Sequence, residues 1–504
     1  MNTEPLEQHE SGALAYPSAG VSHRLRMGHL HFFRTIAESV GVQGPTGGVV
    51  ISAAILAGIS GGGTALVQVI AAVAMGFVAY AFVIFTRGFN SAGSVYGFIG
   101  AVAGPRFGFL SAWALMLVYV NFAGGVYASF ADEAQPAFGA IGLHLPWQIY
   151  AMAAFVLVVV LAYMDIKISS TVILLLEGIS MALVTVVAII ILAKGGYHGH
   201  AFSPAPFHPD GTSLAVLGLG VVYSFSSFSG FEAAATLGEE SARPRRMIPM
   251  AVALSLIVVA IYEIGITAVV TNAYPNTKLL AASAVPLVSV TDHFVASWVG
   301  TLVNFGAVVS SFGAALASAN GASRMLFALG RDGLGPRMLA RVSTRTGSPV
   351  GALSFVAVAS LAFLAGFLRR SATQAVAIIL TYGADLILAA YTLVMIAAII
   401  YTVKHRMRRV TTAILLVGLG ILLYVVKDTF VPFPAAPYSW DAYGAMATLA
   451  VGVLLPVLSP RLRQGIRQSP LLKMGTAMLI PPQTHHEPIS PANGIIKPED
   501  GPTP

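Results

Sequence analysis

The sequence predicts an all-α integral membrane protein of about twelve spans, the first and sixth of which are interrupted midway. Three observations carry that prediction. Of the 504 residues, 56% are hydrophobic and only 10% are charged, whereas roughly a quarter of the residues in a soluble domain carry charge. About twelve apolar stretches reach the roughly 20 residues that a helix needs to cross a hydrocarbon core about 30 Å thick. Glycine, proline and serine gather inside two of those stretches, where a membrane helix should be most regular. The alternating segments of about ten residues that mark a β-barrel are not seen.

The predicted spans lie near 32–59, 65–86, 107–130, 147–164, 171–193, 214–238, 248–271, 297–320, 350–367, 374–401, 411–427 and 440–458. Residues 1–31 precede them and are polar. They lack the basic start, apolar core and small-residue cleavage site of a removable signal, so the first helix is expected to target the chain. After span 2, "SAGSVYGFIGAVAGPRFGF" (91–109) reads as a short interfacial helix leading into span 3. Between spans 7 and 8, "NAYPNTKLLAASAVPLVSVTDHFVA" is too polar to cross and too long for a turn. A short helical hairpin is expected there, placed to act as a lid. Spans 1 to 10 make a core over 32–401, and spans 11 and 12 follow within 402–460. From 461 to 504 the chain turns rich in proline and polar residues, which cannot bury an apolar face, and is read as a disordered tail.

Basic residues set the orientation. Of the 28 lysines and arginines, only Lys194, Lys278, Arg369, Arg370 and Lys427 fall in loops on the side opposite the N-terminus. Cytoplasmic loops carry the positive excess, so both termini are read as cytoplasmic and the number of spans as even. The net charge of +7 therefore reflects membrane topology, not a nucleic-acid partner. With no cysteine, disulfides, thiol metal sites and cysteine nucleophiles are excluded. No phosphate-binding loop is visible, so direct ATP coupling is not expected.

The interruption in span 1 is "GVQGPTGG" (41–48). Irregular backbone survives at membrane depth only where it is buried in protein or lines a polar cavity. Pro45 removes a donor and clashes with the preceding turn, and Gly44, Gly47 and Gly48 permit unwinding. Pro45 suits the first turn of a second half-helix, leaving the amides of Thr46, Gly47 and Gly48 free at a positive end. Free carbonyls from about Val40 to Val42 form the facing negative end. Such a pair suits the carboxylate and ammonium of an α-amino acid. The alternative is a glycine groove that admits a neighbouring helix.

Span 6 repeats the device in "VVYSFSSFSGFEAAATLGEE", where Ser224, Ser226, Ser227, Ser229 and Gly230 interrupt the helix around 226–230 and Phe225, Phe228 and Phe231 among them supply rings to cover an apolar side chain. Two interrupted spans at corresponding positions point to an inverted-repeat transporter with its site near the midplane. Two unrelated polar kinks would be the plainer account.

These residues resemble the amino acid, polyamine and organocation transporters, which have a leucine-transporter type of fold. The likeness rests on "SGFEAAATLGEESARPRRMIPMAV" (229–252), "AGSVYGFIGAVAGPRFGFLSAW" (92–113) and "ASRMLFALGRDGLGP" (322–336). The resemblance implies that spans 1–5 and 6–10 are inverted repeats, with substrate held by the unwound parts of helices 1 and 6. Carried over, it places the carboxylate on Thr46, Gly47 and Gly48 and the ammonium on carbonyls near Val42, Phe225 and Ser226. The first interruption departs from the family's commoner glycine-serine-glycine pattern.

A charge at mid-bilayer costs on the order of 2.5–3.5 kcal/mol, so each acid there needs a reason. Glu177 in "VILLLEGISMALV" is the best placed and is a candidate proton carrier; otherwise it joins helices through hydrogen bonds. Ser310 and Ser311 resemble a hydroxyl pair facing the first broken helix, a minor candidate for sodium, and no metal site is predicted. Glu232 begins the second half of span 6 and is either a pocket residue or a helix-end acid. Glu38, Glu263 and Asp385 also lie in or near spans. His198, His200 and His208 are read as loop residues.

The expected function is secondary active transport of amino acids, by proton coupling or exchange, in a bacterial-type cytoplasmic membrane. No cofactor is expected, and the partners are a small amino acid or amine, protons and the lipid bilayer. The rival within the class carries polyamines or other organic amines. A membrane enzyme or receptor would need a catalytic constellation or a signalling domain, and neither is seen.

Overall fold

The computed structural model describes residues 21–468 apart from 23–24, 89–92, 94, 198, 200–202, 210 and 437. The expected tails at 1–20 and 469–504, and His198 and His200, lie outside the described residues. In chain order the helices are α1 (Phe32–Gln43), α2 (Pro45–Ser60), α3 (Thr64–Gly88), α4 (Val95–Ala103), α5 (Pro105–Gly139), α6 (Trp147–Ala162), α7 (Ile166–Ala193), α8 (Leu214–Ser227), α9 (Pro244–Asn272), α10 (Thr277–Ala281), α11 (Pro286–Phe294), α12 (Ser297–Arg331), α13 (Val350–Ala365), α14 (Ala372–Lys404), α15 (Arg409–Phe430), α16 (Ser439–Leu458) and α17 (Pro460–Gln468). Among the described residues the only sheet pairs two-residue strands, β1 (Val21–Ser22) antiparallel to β2 (Val342–Ser343).

The chain is an all-α multi-pass membrane protein. Counting Phe32–Ser60 as one, nine helices among the described residues are long and apolar enough to cross a bilayer. The shorter apolar helices α6 and α13, and the interrupted segment from Leu214 to Leu237, occupy the three other predicted spans. Several helices run beyond the predicted hydrocarbon stretch: α5 continues from 130 to Gly139 and α12 from 320 to Arg331. Composition marks where lipid ends, whereas a helix continues as long as its backbone bonds remain its best option.

Burial follows side-chain size. α5 and α12 pack along each other at the centre, 78% buried in their most apolar windows, whereas α15 and α16 are only 28% buried. The run from Gly313 to Ser323 of α12 is mostly glycine, alanine and serine, which lets neighbouring backbones approach where lipid offers no hydrophobic drive. Much of the leucine and valine of α15 and α16 faces outward instead, including Leu416, Val417, Leu423, Val453, Leu454 and Val457.

The arginine-rich end of the bundle is tied shut. The Leu30 amide donates to the Glu240 carbonyl at 2.9 Å and the Ala242 amide returns to the Leu30 carbonyl at 3.0 Å. Arg324 grips Glu240 at 2.6 Å in a fully buried pair, Arg331 pairs with Glu239 at 2.8 Å, and Arg26 pairs with Asp165 at 2.7 Å. Residues 25–31 are thus an integrated strap, and α17 places Ile466 into the core where the sequence was read as tail. At the other end α10 and α11 form the predicted helical hairpin, packed on α2 and α12. On the arginine-rich side α4 ends at Gly104 and leads into α5, as the sequence indicated.

Candidate functional site

The first interruption is a single residue. Gly44 takes a left-handed conformation (φ 53°, ψ 52°) between α1 and α2, with Pro45 in the first turn of α2. That conformation suits glycine, and it turns the chain enough to separate the two hydrogen-bond ladders. The Gly44 amide donates to the carbonyls of Val40 (3.2 Å) and Gly41 (2.9 Å). This leaves the Val42 and Gln43 carbonyls as the open acceptors, one residue later than the sequence indicated. On the other side the Gly48 amide donates to the Gly44 carbonyl at 3.1 Å. Of the three amides expected to be free, only those of Thr46 and Gly47 lack a partner among the described residues. The correction comes from tightness: a one-residue break lets the new helix begin its bonding at Gly44.

The second interruption lies against the first. α8 ends at Ser227, and Gly230, at φ 102°, opens a 3-10 helix from Phe231 to Leu237. A Cβ on Gly230 would stand 2.5 Å from Val42 Cγ1, so the two breaks touch. Ser39 of α1 fastens them, its hydroxyl donating to the Phe231 carbonyl at 2.6 Å and accepting from the Ala234 amide at 2.9 Å. Glu232 is a cap: it accepts from the Gly230 amide (3.2 Å), the Tyr119 hydroxyl (2.9 Å) and the Tyr391 hydroxyl (2.6 Å). The Ser226 carbonyl, expected to be open for an ammonium, already accepts the amide and the hydroxyl of Ser229 at 3.1 and 2.6 Å. Phe225 and Phe228 are buried, and Phe225 meets Tyr391 edge-on in a cluster with Phe82 and Phe231. The ring expected to cover a ligand is packed inside the bundle.

Polar groups surround the start of α2. The Thr46 hydroxyl bonds Ser180 of α7 at 3.1 Å and Tyr262 of α9 at 3.0 Å. A Cβ on Gly47 would stand 2.9 Å from the Ser311 hydroxyl and 3.1 Å from Glu133 Oε1, and one on Gly48 would stand 3.8 Å from Glu263 Oε1. Glu177 accepts from Ser310 at 2.9 Å. The hydroxyl pair on α12 therefore divides, Ser310 toward Glu177 and Ser311 toward Gly47. Ser227, at the end of α8, donates to Glu263 Oε2 of α9 at 3.1 Å, while Glu263 Oε1 has no partner. The structure thus brings Glu177, Glu133 and Glu263 around one helix N-terminus, and none of them forms an ion pair among the described residues. Carboxyl groups in a low-dielectric bundle without a cation hold protons or meet a positive ligand.

Sequence reasoning did not single out Glu133. It lies just past the predicted end of span 3, in "SFADEAQPAFG", and reads as a loop acid until α5 is seen to continue to Gly139. Glu263 was visible but unranked. Glu38, also unranked, is buried near Arg324, Glu240 and Asn320 at the tied end. Asp385 lies apart from the breaks, near Asp441 of α16.

The family model described as amino acid permease matches residues 32–455. A branched-chain amino acid permease of Bacillus subtilis is 27% identical over 317 residues, covering 59% of this chain and 66% of its own length. A methylthioribose transporter of the same organism is 26% identical over 387 residues, 71% of this chain and 78% of the relative. A vacuolar cationic amino acid transporter of Arabidopsis thaliana is 24% identical over 312 residues, 58% of this chain and 51% of the relative.

Proposed function

We propose, from the premise that this chain belongs to the amino acid permease family, that it is a secondary active amino acid transporter and not an enzyme, holding its substrate at the paired interruptions. The observation that carries this reading is the single-residue break at Gly44, with free amides at Thr46 and Gly47 and free carbonyls at Val42 and Gln43. The positive end of α2 would take the substrate carboxylate and the negative end of α1 its ammonium. Twelve spans in two inverted repeats of five plus two further helices, with both termini in the cytoplasm of a bacterial-type cell, complete the proposal. Alternating exposure then comes from one group of helices moving against the rest about the fixed site.

Glu177 is the proposed proton carrier. Its carboxyl reaches across from α7 to Ser310 of α12, so gain or loss of a proton changes a contact between two helices that flank α2. Proteoliposomes that take up labelled amino acids with and without an imposed pH gradient provide the test. Saturable uptake abolished by Gly47→Leu, and gradient-driven accumulation abolished by Glu177→Gln with exchange retained, are the expected results. No uptake of any amino acid or amine would end the transporter reading, and undiminished accumulation by Glu177→Gln would remove that residue from coupling.

A second reading has its own support. Glu133 at Gly47 and Glu263 near Gly48 put acids beside the amides that would receive a carboxylate. A substrate with a second positive group, a cationic amino acid or an amine, would meet them. Competition by lysine and by a diamine against leucine uptake separates the two readings: stronger inhibition by the cations, relieved by Glu133→Gln, favours the second.

A further inference from the structure

Away from the interruptions, a cleft of about 300 Å³ lies between α5, α14 and α16, lined by Asn121 and Asp441 among apolar and aromatic side chains. We propose that this cleft is a second binding site, for a small organic ammonium with an apolar body. None of its lining residues belongs to the substrate site described above.

Its polar groups are unsatisfied. Asn121 is fully buried in the middle of α5, yet neither its side-chain oxygen nor its nitrogen has a hydrogen-bond partner, and a Cβ on Gly383 would stand only 2.5 Å from the oxygen. Buried amides are normally paired, and leaving one unpaired carries the full penalty of its desolvation. Asp441 is 5% exposed and its Oδ2 has no partner. It stands in the first turn of α16, where the helix end favours negative charge. Asp385 lies within electrostatic reach of it, and neither acid forms an ion pair among the described residues. Two acids without an ion pair, beside an amide that can both donate and accept, complement an ammonium.

The walls supply the rest. Phe363, Phe367, Tyr382 and Trp440 line the cleft, and aromatic faces attract organic cations through the ring quadrupole. Tyr382 is held by its hydroxyl on Thr448 at 2.7 Å, a contact that also sets the distance between α14 and α16. Trp440 is 74% exposed at the mouth, on the face that the charge asymmetry assigns to the exterior. Arg370 lines the same mouth and has no ion pair among the described residues. It can take a carboxylate, so the ammonium could come from an amino acid or from an amine that lacks one. At about 300 Å³ the volume falls at the lower end of small-molecule sites, too small for a whole phospholipid.

The test uses the full chain in nanodiscs, with tritiated 2-phenylethylamine and phenylalanine as probes, in the Gly47→Leu background so that binding at the interruptions is suppressed. Saturable binding of 2-phenylethylamine that falls at least tenfold with Asp441→Asn, and severalfold with Trp440→Ala but not with Trp440→Phe, is the expected result. Arg370→Gln should weaken phenylalanine alone if amino acids are the ligand, and neither probe if amines are. Binding unchanged by both Asp441→Asn and Trp440→Ala, or none at all in protein that remains monodisperse, means that the cleft holds only water and overturns the proposal. If Asp441→Asn fails to fold, the two Trp440 variants decide. Because uptake is not measured here, a negative result leaves the transporter reading untouched, and failure of uptake leaves this site untouched.

Discussion

At the first interruption the backbone on either side of Gly44 is left with open donors and acceptors, whereas at the second the Gly230 amide and the carbonyls of Ser224, Ser226 and Phe231 are occupied by side chains or neighbouring amides. Around Gly230 the serines bond carbonyls of their own helix, Glu232 caps the amide, and two tyrosines hold Glu232. Around Gly44 the side chains are small or point away, with Thr46 turned toward α7 and α9. Similar compositions therefore have different uses. On the proposed function, the first break presents chemistry to a ligand, and the second is the more fastened joint beside it.

Substitutions can break or sharpen that contrast. The largest effect is expected at Gly47, where leucine would drive a side chain into Ser311 and Glu133. Uptake should fall at least about 100-fold, about 2.7 kcal/mol of lost transition-state stabilisation, with the protein still monodisperse on size exclusion. Gly230→Ala should instead act on stability, lowering it by about 2–4 kcal/mol through the clash with Val42 and the left-handed strain. A thermal scan reads that loss, and a variant of unchanged midpoint would show that the second break is not a fixed joint.

Smaller effects follow. Glu232→Gln keeps the shape but weakens the cap, and about 1–3 kcal/mol should be lost, with Tyr391→Phe showing part of the same loss and the pair less than additive. Ser39→Ala removes two bonds between the breaks and should cost about 1–2 kcal/mol, with substrate affinity weakened only modestly. Ser226→Ala should be nearly silent in uptake, since its hydroxyl contact at 3.5 Å is marginal and its backbone carbonyl is retained. A large transport defect there would reverse the roles assigned to the two breaks.

The helices were legible because lipid imposes one requirement on composition, and the breaks because glycine and proline violate it at positions 44–48 and serine and glycine at 226–230. The identity of the open groups was less legible. Whether Gly48 donates to Gly44, or Ser226 accepts from Ser229, depends on turn geometry of an ångström or less. Partners far apart in sequence were not legible at all: Ser39 meets Phe231 and Ala234, which lie almost two hundred positions on, and no local pattern records it. Glu133 was hidden for another reason. A polarity-based end to span 3 left it outside the membrane, whereas the helix carries it back to Gly47.

The Ser39 fastening has a mechanical consequence. α1 is riveted by Ser39 to the 3-10 segment after Gly230, α2 is bound through Thr46 to α7 and α9, and the chain on either side of Gly44 is therefore fastened at separate points. Any tilt of α1 that loosens the Glu240 and Arg324 end must carry the 231–237 segment with it, and must be absorbed by rotation at one residue. Gly44 is then the fulcrum, and the atoms that would hold the cargo lie on either side of it, where the lever arm is shortest.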